Sequence, residues 1–157
     1  MDNLTVILKK WDKYQSNDIN IYVCGHIQIH GNYITTAKQL FGFLKNHFNT
    51  LKFYEIDLSS LLTEMTGNFA IIIKSSSFLF AAVDICRTQP IFYYGNSFDN
   101  LFFFDSLPIN NISKYGINKL NLLEFYELGF ITGDKTIAND IKQLVILDKL
   151  TPHSGGN

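Results

Sequence analysis

The sequence predicts an α+β fold in which helices cover layered sheets within one domain. Turn-separated apolar runs fill the middle of the chain, and segments with helical periodicity and capping residues lie on either side of them. Only 17% of the 157 residues are charged. Because soluble domains carry roughly 25% charged residues, much of this chain must be covered. A chain of this length can bury a full core without a metal or a disulfide.

The strands are predicted from apolar runs bounded by turn residues. The central pair is a hairpin, residues 69–74 and 78–83, joined by three serines. Neither run alternates apolar with polar residues, so both faces of each strand are expected to be covered. The other predicted strands are residues 4–8, 19–30 (as one strand or two), 90–94 and 101–104, the last two joined by the turn Gly95-Asn96-Ser97. We expect the strands between residues 67 and 104 to be consecutive and antiparallel, with these side chains mostly buried: Phe69, Ile71, Phe80 and Phe92.

Two helices are predicted in the first half of the chain. Residues 35–46 carry Leu40, Phe41 and Leu44 on one helical face, and Thr35 or Thr36 is the candidate N-cap. Residues 57–65 form a shorter helix, which Gly67 is expected to terminate.

A third helix is predicted over residues 118–128, with Gly129 as the C-cap. Its apolar residues are Leu122, Leu123, Phe125 and Tyr126. The domain is expected to span residues 1–150, followed by a loose tail over 151–157.

Charge and cysteine usage exclude several classes of protein. The net charge is −1, which gives no electrostatic reason to expect nucleic acid or an anionic membrane as a partner. Two cysteines do not make a disulfide framework in a chain this long. The first apolar run is too short for a signal peptide, and no run approaches the roughly 20 residues of a membrane span. We therefore expect a cytoplasmic, reduced protein.

Three blocks of sequence carry a family resemblance. The first is Gly67-Asn68-Phe69-Ala70, and the second runs from Asp84 through Arg87 to Pro90 and its following aromatic residues. The third is Gly129-Phe130-Ile131-Thr132-Gly133, which precedes Thr136-Ile137. In this order and spacing they resemble the class II glutamine amidotransferase domain of asparagine-synthetase-like proteins, over roughly residues 19–150.

The resemblance implies the N-terminal-nucleophile hydrolase fold, an αββα sandwich of two antiparallel sheets between helices. It gives structural roles to the family-motif residues Gly67, Phe69, Asp84, Arg87, Pro90, Gly129 and Gly133. It implies no metal or other cofactor.

The chemistry of that family is expected to be absent. Active members begin, after removal of Met, with a cysteine whose α-amine is the base, whereas Asp2 stands here. Their arginine loop, Arg-x-Arg-Gly-Pro-Asp, has no counterpart in the chain. Their oxyanion hole uses an Asn-Gly pair, and the nearest match is Cys24-Gly25. We therefore predict no catalytic residue, and substrate-binding residues stay unassigned.

Some residues have alternative interpretations. Cys24, His26 and His30 could bind zinc, but their strand would separate its end residues by about 20 Å, and a polar strand face is the simpler interpretation. Asp84 and Arg87 are either a substrate clamp or a structural turn before Pro90. The segment Ser154-Gly155-Gly156 resembles part of a pyrophosphate loop, although no Asp-Ser or helix follows it, which favours a tail. The run of three phenylalanines at 102–104 is interpreted as a buried strand rather than a binding surface.

The leading hypothesis is a degenerate amidotransferase-like domain that serves as structural or docking partner of an ATP-dependent, amide-forming synthetase domain, in the same chain or a separate one. Two alternatives are a hydrolase whose nucleophile, such as Thr5, is exposed by processing, and a small-ligand-binding module. Because charged residues are few and aromatics make up 15%, we also predict an exposed apolar patch with aromatic members. Where the partner is missing, that patch would mediate self-association, most commonly as a C2 homodimer.

Overall fold

The computed structural model describes residues 5–7, 10–48, 58–76, 78–95, 101–107 and 112–145. The predicted tail at 151–157 and most of the predicted turn after Gly95 lie outside this part of the chain. The chain divides into two compact units, one formed by Lys10–Gln89 with Ile146–Asn157 and the other by Met1–Lys9 with Pro90–Val145.

The described elements come in runs of strands followed by pairs of helices. The strands are β1 Thr5–Ile7, β2 Asp12–Ser16, β3 Ile19–Ile29, β4 Asn32–Ile34, β5 Thr66–Lys74, β6 Leu79–Val83, β7 Phe92–Tyr94, β8 Phe102–Phe104 and β9 Ile141–Gln143. The helices are α1 Ala37–Phe48, α2 Leu58–Leu62, α3 Ile112–Tyr115 and α4 Lys119–Leu128.

The unit containing residues 10–89 is built on an antiparallel sheet of order β2-β3-β5-β6, with β4 paired to β3. The predicted segment 19–30 is one strand, β3, and its pairing with β5 continues without interruption past Gly25. Alternate apolar residues of β3 are buried in a core with Leu40 and Leu44 of α1 and Leu58 and Leu61 of α2.

The predicted hairpin is confirmed as β5 and β6. The backbone N–H of Ser75 donates to the carbonyl of Phe78 at 2.7 Å and closes the turn. Every residue of β6, and β5 from Phe69 to Ile73, is buried. Both faces of this hairpin are therefore covered, as the unalternating sequence predicts.

Helix α1 begins with the predicted cap. The backbone N–H of Gln39 donates to the Thr36 hydroxyl at 3.2 Å, and the Gln39 side chain accepts from the Thr36 backbone N–H at 3.1 Å. This reciprocal pair is a capping box, which satisfies two backbone donors at the helix start. Leu40 and Leu44 are fully buried, and Phe41 is half-buried.

The prediction that Gly67 ends the second helix is wrong. Helix α2 ends at Leu62, where the carbonyls of Ser60 and Leu62 accept from Thr63 and Met65 in short turns. Gly67 lies inside β5, opposite Ile27 of β3. The glycine is needed for a close approach of strands rather than for a helix terminus.

The unit containing residues 90–145 has a four-stranded sheet of order β1-β8-β7-β9. Strand β7 pairs antiparallel with β8 and β9, and β1 pairs parallel with β8. The strands between residues 67 and 104 are thus consecutive and antiparallel only within each hairpin, because β5–β6 and β7–β8 belong to different sheets. Phe92 is half-buried, which corrects the prediction for that side chain, whereas Phe69, Ile71 and Phe80 are buried.

The α+β class is confirmed: two mainly antiparallel sheets and a few helices make up the described residues. The specific N-terminal-nucleophile sandwich stays a prediction. Within the described residues, no helix is long and apolar enough to cross a membrane.

Candidate functional site

Two of the predicted motifs meet where β3 pairs with β5. Gly25 pairs with Phe69, and Gly67 pairs with Ile27, so the Cys24-Gly25 segment and the Gly67–Phe69 segment lie side by side. Both glycines have positive φ, +85° at Gly25 and +120° at Gly67. A Cβ at Gly25 would lie below 3.0 Å from the Asn68 carbonyl oxygen, and one at Gly67 would approach the His26 carbonyl equally closely. Only glycine fits at either position.

The polar face of β3 lies next to these paired glycine segments. The Cys24 thiol donates to the Gln89 side-chain oxygen at 3.4 Å, and the His26 ring lies against the Tyr33 ring with 5.5 Å between centroids. A thiol is a weak hydrogen-bond donor compared with an amide. The contact of Cys24 with Gln89 is therefore weak, and the Cys24 thiol is a poorer donor for an oxyanion than an asparagine amide.

Asp84 follows β6 and organises the next turn. Its buried carboxylate accepts hydrogen bonds from the backbone N–H groups of Phe69 at 3.2 Å, Cys86 at 2.9 Å and Thr88 at 3.1 Å, and from the Thr88 hydroxyl at 2.6 Å. Burial alone raises the pKa of this carboxyl, but the hydrogen bonds from Thr88, Cys86 and Phe69 outweigh burial and lower the pKa below its ordinary value.

Arg87 completes the same turn. Its backbone N–H donates to the Asp84 carbonyl at 2.9 Å, and its φ of +52° is in the left-handed region. Because the Asp84 carboxylate is occupied by four donors of its own chain, the geometry favours the structural turn over the substrate clamp. Pro90 comes directly after this turn, half-buried, at the start of the other unit.

The third motif surrounds the end of α4. The Asn118 side chain accepts from the backbone N–H groups of Leu120 and Asn121, and it caps the start of the helix. Gly129 has φ +78°, and its backbone N–H donates to the Phe125 carbonyl at 2.8 Å, so the predicted C-cap is confirmed. Gly133 also has positive φ, +71°, in the turn that follows.

A cleft of about 420 Å³ lies on one side of α4. Its lining includes an ion pair between Lys142 and Asp134 at 2.7 Å and the buried Asn121, whose amide donates to the Thr136 carbonyl at 2.7 Å. The hydrogen bond and charge of Lys142 lower the pKa of Asp134. Lys142 and Asp134, and Asn121 and Thr136, are thus paired within the wall of the cleft.

Away from this cleft α4 is apolar and exposed, which the strand-and-helix patterns did not reveal. Leu123 is 56% exposed and Tyr126 77%, and Leu120, which also lines the cleft, is 78% exposed. Asn121 is the buried residue of this helix, whereas the apolar residues noted in the sequence are half-buried, at Leu122, or exposed, at Leu123, Phe125 and Tyr126. The composition signal of few charges and many aromatics did predict an exposed apolar patch with aromatic members.

One side-chain cluster was missed by sequence reasoning. His30, just after β3, contacts the Glu64 carboxylate, and its ring lies 5.2 Å from the ring of His47 on α1. These residues are far apart in sequence, so no local pattern indicates the cluster. Among the described residues, no group of three His, Cys, Asp or Glu side chains is arranged to hold a metal ion.

Comparisons of the chain with models of protein families, with curated proteins and with solved structures find no match. The resemblance to asparagine-synthetase-like domains therefore stays a prediction, and the function has to be argued from the geometry.

Proposed function

We propose that the chain is a degenerate class II glutamine-amidotransferase-like domain without glutaminase activity, which acts as a structural or docking partner of an ATP-dependent amide-forming synthetase domain. The observation that carries the proposal is the pairing of β3 with β5. The segments that resemble the family's oxyanion-hole strand and its Gly-x-Phe-Ala strand are direct neighbours in the sheet.

The same pairing of β3 with β5 supports the loss of activity. A glutaminase needs preorganised amide or backbone donors aimed at the developing oxyanion, and removing one such donor costs roughly 10²- to 10³-fold in rate. Cys24 stands where the family has asparagine, and its thiol contacts Gln89. The carboxylate of Asp84 is likewise occupied by hydrogen-bond donors of its own chain.

The test is an assay of glutamate release from glutamine with the purified full chain. We expect no release above the buffer background, and a Cys24→Asn variant should behave the same, because one donor does not replace a nucleophile. Glutamine turnover that survives repurification and is blocked by a glutamine-analogue inhibitor would overturn the proposal.

A second measurement tests the alternative in which the chain is an active hydrolase. Processing to expose Thr5 would remove four residues, which an intact-mass measurement detects directly. If a shortened chain releases glutamate and a Thr5→Val variant does not, the chain is an active hydrolase.

The docking role is tested by co-elution of the full chain with a purified synthetase domain of the asparagine-synthetase type, and failure to co-elute at micromolar concentrations counts against it.

A further inference from the structure

The exposed apolar surface of the described residues is concentrated around α4. Nine large hydrophobic side chains are exposed, and seven of them lie between residues 117 and 130. These seven are Ile117, Leu120, Leu123, Phe125, Tyr126, Leu128 and Phe130. Scattered single exposures are ordinary, but a cluster on one element is typical of an interaction surface.

Five exposed side chains of α4 share one face of the helix. Lys119, Leu123 and Glu127 are four residues apart, which places them one above the other, and Leu120 and Tyr126 flank Leu123. We call this set the α4 face. Leu123 is at its centre, because the other four residues lie three and four positions before and after it.

The charges of the α4 face oppose the helix dipole. Lys119 is the first residue of the helix and Glu127 the last but one, while the first turn has no acidic residue and the last turn no basic one. A helix favours anions at its N-terminus and cations at its C-terminus. In an isolated helix both charges are therefore at the wrong end.

We propose that the α4 face binds the α4 face of a second copy of this chain, antiparallel, about a twofold axis at Leu123. In that arrangement Leu123 packs against its own counterpart. Lys119 is level with Glu127 of the second copy, because each lies about 6 Å from Leu123 along its helix. Leu120 is level with Tyr126 in the same way. The arrangement is isologous, as a C2 interface requires.

The charge pattern is what selects a second copy as the occupant. Each misplaced charge meets an opposite charge, and each helix end lies beside the opposite pole of its neighbour's dipole. One pair of helices buries less than the roughly 800 Å² per partner of a standard stable interface, so the dimer is weak, with a dissociation constant on the order of micromolar.

The first experiment is sedimentation equilibrium, or light scattering, over a dilution series of the full chain. We expect a reversible monomer–dimer equilibrium that Leu123→Glu abolishes. The matched control is Ile85→Glu, which makes the same change at a residue that is 78% exposed but lies in the other unit. The control should dimerise like the wild type, and circular dichroism should show native helix content in both variants.

The second experiment tests the antiparallel arrangement by charge reversal. Lys119→Glu and Glu127→Lys each put like charges level with one another, and each should raise the dissociation constant about tenfold. Both changes suit the helix dipole, so neither should unfold the helix. An equimolar mixture of the two variants, and the double variant alone, should recover wild-type affinity, since opposite charges are level again.

Three results would overturn the proposal. The first is a chain that stays monomeric at all concentrations, including one that binds only a synthetase domain. The second is a dimer that survives Leu123→Glu, and the third is a dimer whose single charge variants do not complement each other. None of these results affects the glutamate-release prediction, because the inference uses α4 alone and is independent of the proposed function.

Discussion

The β5–β6 hairpin and helix α4 are both rich in apolar residues, yet the structure uses those residues in opposite ways. From Phe69 to Ile73 and throughout β6, every side chain is buried. In α4 the buried residue is the polar Asn121, and several leucines and aromatics are exposed.

The difference follows from how each element is supported. A strand has only two faces, and an apolar run without alternation requires both to be covered. A helix presents side chains in every direction, so an apolar sequence does not say which side faces the protein's own core. In α4 the side held by the Asn121–Thr136 hydrogen bond is internal, and the side that carries Leu123 and Tyr126 is exposed.

The largest loss of stability is expected where β3 and β5 approach each other at Gly25. Gly25→Ala should destabilise the protein by about 3 kcal/mol or more, because positive φ and a backbone clash add together. Gly31→Ala is the matched control, since its φ is +75° but nothing lies within 4 Å of the added Cβ. That variant should lose only about 1 kcal/mol in urea unfolding. Equal losses at the two glycines would show that strands β3 and β5 do not approach as closely as described.

The next prediction compares the two regions directly. Ile71→Ala removes a side chain that is 1% exposed in the core and should lower the free energy of unfolding by about 2–5 kcal/mol. Leu123→Ala, in dilute protein, should change it by less than about 0.5 kcal/mol. Urea unfolding followed by circular dichroism measures both. A large loss for Leu123→Ala under monomeric conditions would place the α4 face in the protein's own core.

Much of this architecture could be predicted, and the failures have physical causes. The hairpin was predicted because two apolar runs flank a three-serine turn, and one cap of each of α1 and α4 because Thr36 and Gly129 act locally. The role of Gly67 was missed, since its reason is the His26 carbonyl across the sheet. The short strand β9 depends on pairing with the distant β7, which the sequence pattern does not record.

The same limit applies to the candidate site. The resemblance singled out Asp84, but its partner Thr88 and the Cys24–Gln89 contact depend on the folded turn. The exposed apolar patch was predicted from the amino-acid composition, which does not say where in the chain the patch lies. Its location on α4 required knowing which side of the helix Asn121 anchors.

A smaller effect is expected in the turn after β6. Asp84→Asn should destabilise the protein by roughly 2 kcal/mol at neutral pH, because charge-assisted hydrogen bonds are lost and an amide N–H₂ faces donors. Asp18→Asn, at an exposed position, is the control and should be nearly neutral.

The pH dependence of unfolding sharpens this prediction. Since the folded state lowers the pKa of Asp84, its contribution is fully present above the unfolded pKa of about 3.9 and is lost as pH falls through the lower folded value. The difference in stability between wild type and Asp84→Asn should therefore shrink below about pH 4. A difference that stays constant down to pH 2 would mean that the carboxylate charge is not what stabilises the turn.

The smallest effect concerns α4 as a monomer. Lys119→Glu should raise the free energy of unfolding of the dilute chain by a few tenths of a kcal/mol, because an anion replaces a cation at the helix N-terminus. The same change weakens the proposed dimer. Lys38→Glu is the control, since Lys38 is likewise exposed in the first turn of α1, and it should give a similar gain without affecting association. Loss of stability in dilute Lys119→Glu would contradict the dipole argument.

The contrast between the hairpin and α4 is tested most directly by hydrogen exchange measured over a range of protein concentrations. If the α4 face is an interface, exchange across residues 119–128 should slow as concentration rises through the dimer dissociation constant, while exchange in β5 and β6 stays unchanged. The Leu123→Glu variant should show no concentration dependence in either region. Exchange in α4 that is independent of concentration, or protection that appears at another segment instead, would contradict the account.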